Sequence, residues 1–463
     1  MAKILLVELA YKNKYPPLAL MKISTYHKML GDDVYFCKGK NAELKAKRWD
    51  RIYISTLFTF HWQITVDTIG FYNNSVENLS DIYCGGVMAT VLSEELKAEY
   101  AVTIIEGLLD KPGMLGSDSH IVDTMPPDYS ILDTSANIYL NYTYTISDSY
   151  VVYATRGCVR NCPFCAVPDI EPCFNPYIDI KKQVNYIKNN FGEKKHLMLM
   201  DNNVLASKDF DRIVEDIRQL GYGKGAIHTI KVKGKHVSSK KYVDFNQGID
   251  ARLLEREKCE KLAELAIRPL RIAFDYADKK TVELYKEKAT LAAECGIEHL
   301  SNYILFNYND TPEDLYTRLE VNVLLNEQFK GAGYKARIWS FPMKYTPVRG
   351  EHCKDRKFIG ENWNRKYLRA IQCILNATRG VVGPNKDFFY VAFGSDIEEY
   401  RKILAMPENY IFNRKFYEVY GLTDEWYEAF SKLSDNSTTF DFIMNGDLKQ
   451  VGQTTDNVLR FYA

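Results

Sequence analysis

Three of the ten cysteines in this 463-residue chain fall within eight residues of one another, in the string GCVRNCPFC at 157–165. Cys158, Cys162 and Cys165 are separated by three residues and then by two, directly after an apolar run, VVYA (151–154), that reads as a strand. Three thiolates on one loop can wrap a single metal centre, and the number three decides what such a centre does. A four-iron cluster held by four thiolates is coordinatively closed and only passes electrons. Held by three, it leaves one iron open to an amino and a carboxylate group, the same distinction that separates catalytic from structural zinc sites. A zinc site or three buried thiols is the competing reading. Structural zinc needs a fourth ligand, normally within a second close pair, and no CxxC or HxxxH follows; His196 and His228 stand singly. The seven remaining cysteines (Cys37, Cys84, Cys173, Cys259, Cys295, Cys353 and Cys373) are scattered and read as small hydrophobes.

The elements that must position this loop form an alternating series. After VVYA come HLMLM (196–200), YVDFNQ (242–247), LRIAFD (270–275), NYILFN (302–307) and RIWSFP (337–342), each a short apolar run ending in polar residues. Amphipathic stretches separate them, among them IDIKKQVNYIKNNF (178–191) and TPEDLYTRLEVNVLLNE (311–327). The latter opens with Thr311, Pro312 and Asp314, the spacing of a capping box with proline in the first turn. Six strand–helix units over 149–345 predict a partial (β/α)6 TIM-type barrel, with its site at the carboxyl ends of the strands.

A first alternating series, ILLV (4–7), DVYFC (33–37), RIYIS (51–55), DIYC (81–84) and AVTII (101–105), predicts a Rossmann-like parallel sheet over residues 1–110. Residues 111–148, rich in Pro, Gly, Asp, Ser and Thr, read as a linker. From 346 to 463 helical patterns such as 364–377 and 395–404 predict a mostly α C-terminal domain, the second helix opening on Ser395 and Glu398. The fold class is therefore α/β with a helical C-terminal domain.

With the flanks TRGC and CPFCAVP (155–168) and the aromatic Phe164 before the last cysteine, the loop resembles that of the radical S-adenosylmethionine (SAM) superfamily. The subgroup with a cobalamin-binding domain ahead of the barrel, and the methylthiotransferases, share those flanks. The resemblance implies a 4Fe-4S cluster on Cys158, Cys162 and Cys165. It implies that SAM is split into methionine and a 5′-deoxyadenosyl radical, which takes a hydrogen atom from an unactivated carbon. Carried over residue by residue, Asp201 and Asn202 stand where the family holds the SAM amino group, usually through a Gly-Gly-Glu-like motif that here reads Met-Asp-Asn. Asn246, Gln247 and Arg252 follow the third strand, where an arginine suits the SAM carboxylate. Asp275 ends the fourth strand, and Asn307 occupies the fifth-strand position where the family usually has glycine.

Residues 1–110 resemble the cobalamin-binding domain through ILLV, Tyr15-Pro16-Pro17-Leu18 and the glycines 85–86, with Ser55 and Thr56 at a strand end suited to a tail-binding crevice. The cobalt-ligating Asp-x-His-x-x-Gly motif is missing, residues 8–13 reading Glu-Leu-Ala-Tyr-Lys-Asn. Methylthiolation of RNA or protein requires three more N-terminal cysteines, and only Cys37 and Cys84 are there. A non-catalytic iron–sulfur redox sensor is the reading from another class.

Sixty Lys plus Arg balance sixty Asp plus Glu, so no global field selects nucleic acid or an anionic surface. The one basic run, KVKGKHVSSKK (231–241), reads as a loop within reach of phosphates. No apolar stretch approaches the about 20 residues that span a bilayer, and no signal-peptide pattern opens the chain, so a cytoplasmic enzyme without a membrane partner is expected. The resemblance implies a flavodoxin- or ferredoxin-type electron donor, and leaves the substrate open among small molecules, peptides and nucleic acids.

Overall fold

Burial selects the strands. Ile4 to Val7 are fully buried, and they centre β1 (Lys3–Glu8) in a five-stranded, wholly parallel sheet. Its partners are β2 (Asp33–Lys38), β3 (Arg51–Thr56), β4 (Ile82–Gly86) and β5 (Thr103–Ile105), in the order β2-β1-β3-β4-β5. This is the flavodoxin-like order, whose switch point lies between β1 and β3. The computed structural model describes residues 1–116, 118–450 and 458–462.

The chain divides into two compact units. The first comprises Met1–Leu253, Glu260–Pro269 and Thr346–Phe358; besides the N-terminal sheet it holds β6 (Ser149–Val152), β7 (His196–Leu199) and β10 (Val243–Phe245). These three pair in parallel in the order β10-β7-β6. The second comprises Leu254–Cys259, Leu270–Tyr345 and Ile359–Ala463, and holds β11 (Leu270–Arg271), β12 (His299–Phe306) and β13 (Arg337–Lys344), also parallel, in the order β11-β12-β13. All six strands expected for the partial barrel are thus present. Thr311 caps the helix Pro312–Gly331, with a reciprocal bond from Asp314. The second unit closes on a helical core around Trp426, Tyr400 and Phe393.

Three expectations are revised. The 111–148 segment is not a free tether: it buries Leu115, Val122, Tyr129, Ile131, Leu140 and Tyr144, and the Tyr129 hydroxyl bonds both Ser149 O and Val151 N. Scattered apolar residues without periodicity hide such packing from a pattern reading. Residues Thr346–Phe358 belong to the first unit, where Cys353 joins the core and Lys354 Nζ lies 3.6 Å over the Trp62 ring. The basic run is not a loop but part of an exposed antiparallel hairpin, β8 (Ile227–Val232) and β9 (Lys235–Lys240). Lys233 and Gly234 both take positive φ at its turn (48° and 80°), as a two-residue hairpin turn requires.

Candidate functional site

The cysteine loop begins where β6 ends, and its first residues are fixed by a carboxylate at the end of β7. Asp201, fully buried, accepts hydrogen bonds from Ala154 N (3.1 Å), Thr155 Oγ1 (2.7 Å) and Thr155 N. Burial raises its carboxyl to about 6, against the pull of those donors. Asp201 therefore anchors the loop entrance.

The next two residues are held by buried charges. The Arg156 guanidinium stacks 3.7 Å over the Tyr153 ring and pairs with Asp123 (2.5 Å) and Glu171 (2.7 Å), while Lys22 pairs with Asp123 from the other side (3.0 Å). Burial alone would raise the Asp123 carboxyl; Lys22 and Arg156 outweigh it and bring it to about 2. Glu171 also accepts Gly157 N (2.5 Å) and Asn202 Nδ2 (2.9 Å). Gly157 has φ 77°, and a Cβ there would come within 2.5 Å of Cys173 O, so only glycine passes the chain into the first cysteine.

Cys158, Cys162 and Cys165 are all partly exposed. The Cys158 sulfur accepts from Arg160 N (3.4 Å) and Asn203 Nδ2 (3.5 Å), and the Cys165 sulfur from Val167 N (3.5 Å). Cys165 N bonds Cys162 O (3.0 Å), turning the loop between the last two ligands. N–H groups aimed at sulfur stabilise thiolates, and hydrogen bonds to sulfur are one of the means by which a protein tunes an iron–sulfur cluster. Three thiolates, two of them with N–H donors on sulfur, are a donor set whose chemistry suits an iron–sulfur cluster.

The other predicted residues divide between the units. In the first, Asn246 is buried and accepts the Tyr15 hydroxyl (2.6 Å), while Gln247 is exposed. Arg252, about half exposed, donates through Nε (2.7 Å) and Nη2 (3.0 Å) to Asp250, which also takes Arg160 Nε (2.9 Å) from the cysteine loop. Phe164 is partly buried. In the second unit, Asp275 is partly buried and its carbonyl accepts Arg318 Nη1 (3.0 Å). Asn307, also there, is fully buried at φ 68°, with Oδ1 accepting Gly360 N (2.8 Å) and Nδ2 donating to Tyr345 O (3.2 Å). Asparagine tolerates the left-handed region, which accounts for its standing where the family has glycine. Asn203, Glu171 and Asp250 are not among the predicted site residues; the local signal for Asn203 is the polar run Asp201-Asn202-Asn203 closing β7.

At the carboxyl edge of the N-terminal sheet, the Thr56 hydroxyl is spent on Gly85 O and Ala89 N. Nearby, Glu8 pairs with Lys38 (2.7 Å), whose Nζ lies 4.5 Å from the Tyr142 ring centre. Glu8 Oε1 and His61 Nδ1 are buried there without hydrogen-bond partners.

Residues 152–319 match the family model of the Radical SAM superfamily. The match runs from the last residue of β6 to the helix Pro312–Gly331, and so takes in the three cysteines. Among solved structures, the chain is similar to the radical S-adenosylmethionine methyltransferase TsrM from Kitasatospora setae, solved with cobalamin and a 4Fe-4S cluster bound. Identity is 12%, covering 74% of this chain and 75% of that one, with a TM-score of 0.49. It is also similar to HydG, a maturase of the FeFe-hydrogenase, at 16% identity over 46% of this chain and 47% of that one, with a TM-score of 0.32. No curated protein matches the chain significantly. Among the described residues, no helix is long and apolar enough to cross a membrane.

Proposed function

We propose that the protein is a radical SAM enzyme whose 4Fe-4S cluster is held by Cys158, Cys162 and Cys165. The observation that carries this reading is the loop itself: three partly exposed cysteines, two with N–H donors on sulfur, entered through a buried Asp201 clamp and a glycine at positive φ. When bound, the cluster supplies an open iron and the electron that splits SAM into methionine and a 5′-deoxyadenosyl radical for attack on an unactivated carbon. The chain's own residues hold the geometry. Arg156 and Glu171 fix the backbone before Cys158, and Asp250 ties Arg160 to Arg252. Asn202, Asn246, Gln247, Arg252, Asp275 and Asn307 remain the candidates for SAM, with Phe164 beside the cluster; Asp201 is better read as a positioning residue. A flavodoxin- or ferredoxin-type donor would supply the electron, and the substrate class is open.

Cobalamin-dependent methyl transfer is the finer reading, favoured by the β2-β1-β3-β4-β5 sheet and the unpartnered Glu8 Oε1 and His61 Nδ1 at its carboxyl edge. Those polar atoms suit an amide-rich ligand. Residues 8–13 offer cobalt no histidine. Methylthiolation is disfavoured because Cys37 and Cys84 are fully buried in the N-terminal core.

The test is anaerobic reconstitution with iron and sulfide, then dithionite and SAM, assaying 5′-deoxyadenosine with and without cobalamin. 5′-Deoxyadenosine that disappears in the triple cysteine-to-alanine variant supports the reading. Product no higher than that variant's favours the sensor. S-Adenosylhomocysteine formed only with cobalamin supports methyl transfer.

A further inference from the structure

Asn203 makes a pair of interactions that the fold does not need. It stands at the start of the turn Val204–Ala206, the position where an asparagine ordinarily caps with its side-chain oxygen, yet it makes no capping bond. Its side chain, 2% exposed, instead directs Nδ2 to the Cys158 sulfur at 3.5 Å and leaves Oδ1 buried with no partner. The reverse orientation would set a carbonyl oxygen against a thiolate, so the amide is oriented by the sulfur. A buried amide oxygen without a donor is destabilising. The neighbouring polar residues are already committed: Asp201 to Ala154 and Thr155, Asn202 Nδ2 to Glu171. Asn203 alone of the three polar residues closing β7 presents an orphaned acceptor beside the cysteine loop.

We infer that Asn203 is an outer-sphere positioning residue of the cluster. Its N–H draws electron density from the Cys158 sulfur and eases one-electron reduction. The inference rests on the cluster reading above and adds a residue that sets the cluster's potential. An N–H···S bond stabilises the more negative, reduced cluster more than the oxidised one, so its loss lowers the potential.

The test compares wild type with Asn203→Leu, which keeps the volume without the donor, and Asn203→Asp, which keeps the shape and adds an acceptor. All three are reconstituted anaerobically, and the reduced-to-oxidised cluster ratio is read by EPR at one poised potential. Asn203→Leu should lower the ratio about tenfold, ~59 mV for a one-electron couple, and Asn203→Asp further. Ratios within twofold of wild type in both variants overturn the inference while leaving the cluster reading intact. If Asn203→Leu loses its iron, the Asn203→Asp ratio decides alone. A wild type that takes up no iron removes the cluster reading itself, and this inference with it.

Discussion

Removing the Asp201 carboxylate should release the entrance of the cysteine loop. Three donors depend on it, Ala154 N, Thr155 N and Thr155 Oγ1, and all are buried. Asp201→Ala leaves them without an acceptor, at about 1–3 kcal/mol each; allowing for partial relaxation, about 3–6 kcal/mol of local stability is lost. Asp201→Asn keeps one oxygen in place and replaces a carboxylate that burial already disfavours, so its cost at neutral pH should stay below about 2 kcal/mol. The assay is hydrogen exchange of the peptide spanning 149–157, with iron content after reconstitution. Asp201→Ala should accelerate exchange at Ala154 and Thr155 by at least about a hundredfold, the equivalent of ~3 kcal/mol, and reduce iron uptake. The pH dependence has a definite sign. Because burial raises this carboxyl to about 6, the folded state holds the proton more tightly than the unfolded chain. Stability from this group therefore grows as pH falls through about 6 and is lost as pH rises through it, by at most ~3 kcal/mol. Wild type should gain stability relative to Asp201→Asn between pH 8 and pH 5 in urea titrations. Unchanged exchange in Asp201→Ala, or a wild-type advantage that shrinks on acidification, would refute the clamp.

Each of Cys158→Ala, Cys162→Ala and Cys165→Ala should abolish cluster assembly with little change in circular dichroism; full iron retention in any one contradicts its assignment as a ligand. Gly157→Ala should also lose iron, because the added methyl meets Cys173 O at 2.5 Å, and iron analysis with a thermal melt will show it. Glu171→Gln removes the partner charge of Arg156 and should cost about 1–3 kcal/mol, read as a lower Tm. Asn307→Gly should be tolerated better than Asn307→Val at φ 68°, since a β-branched residue is strained there by about 1–3 kcal/mol, measured by urea denaturation.

The strands and the cysteine loop were legible because their signals are local: apolar runs of the right length, a capping box at Thr311 and Asp314, and three cysteines in one string. What escaped depends on contacts distant in sequence. Asp201 reads as a ligand-binding residue until β6 and β7 pair and put it under Ala154 and Thr155. Glu171 has no motif at all and gains its role from Arg156 and Asn202 converging on it. At the C-terminal helix Ile397–Ala405 the cap falls one residue later than the pattern suggests: Asp396 accepts Glu399 N, while Ser395 bonds the Glu399 carboxylate. Either spacing satisfies the local rule, and the backbone decides between them.

In the proposed function three cysteines hold a cluster with one iron open to SAM. The most direct measurement is the EPR spectrum of the anaerobically reconstituted, dithionite-reduced protein with and without SAM. The account predicts a reduced 4Fe-4S signal that changes shape when SAM is added and is absent from the triple cysteine variant. A signal that SAM leaves unchanged, or one that survives loss of the three cysteines, would contradict it.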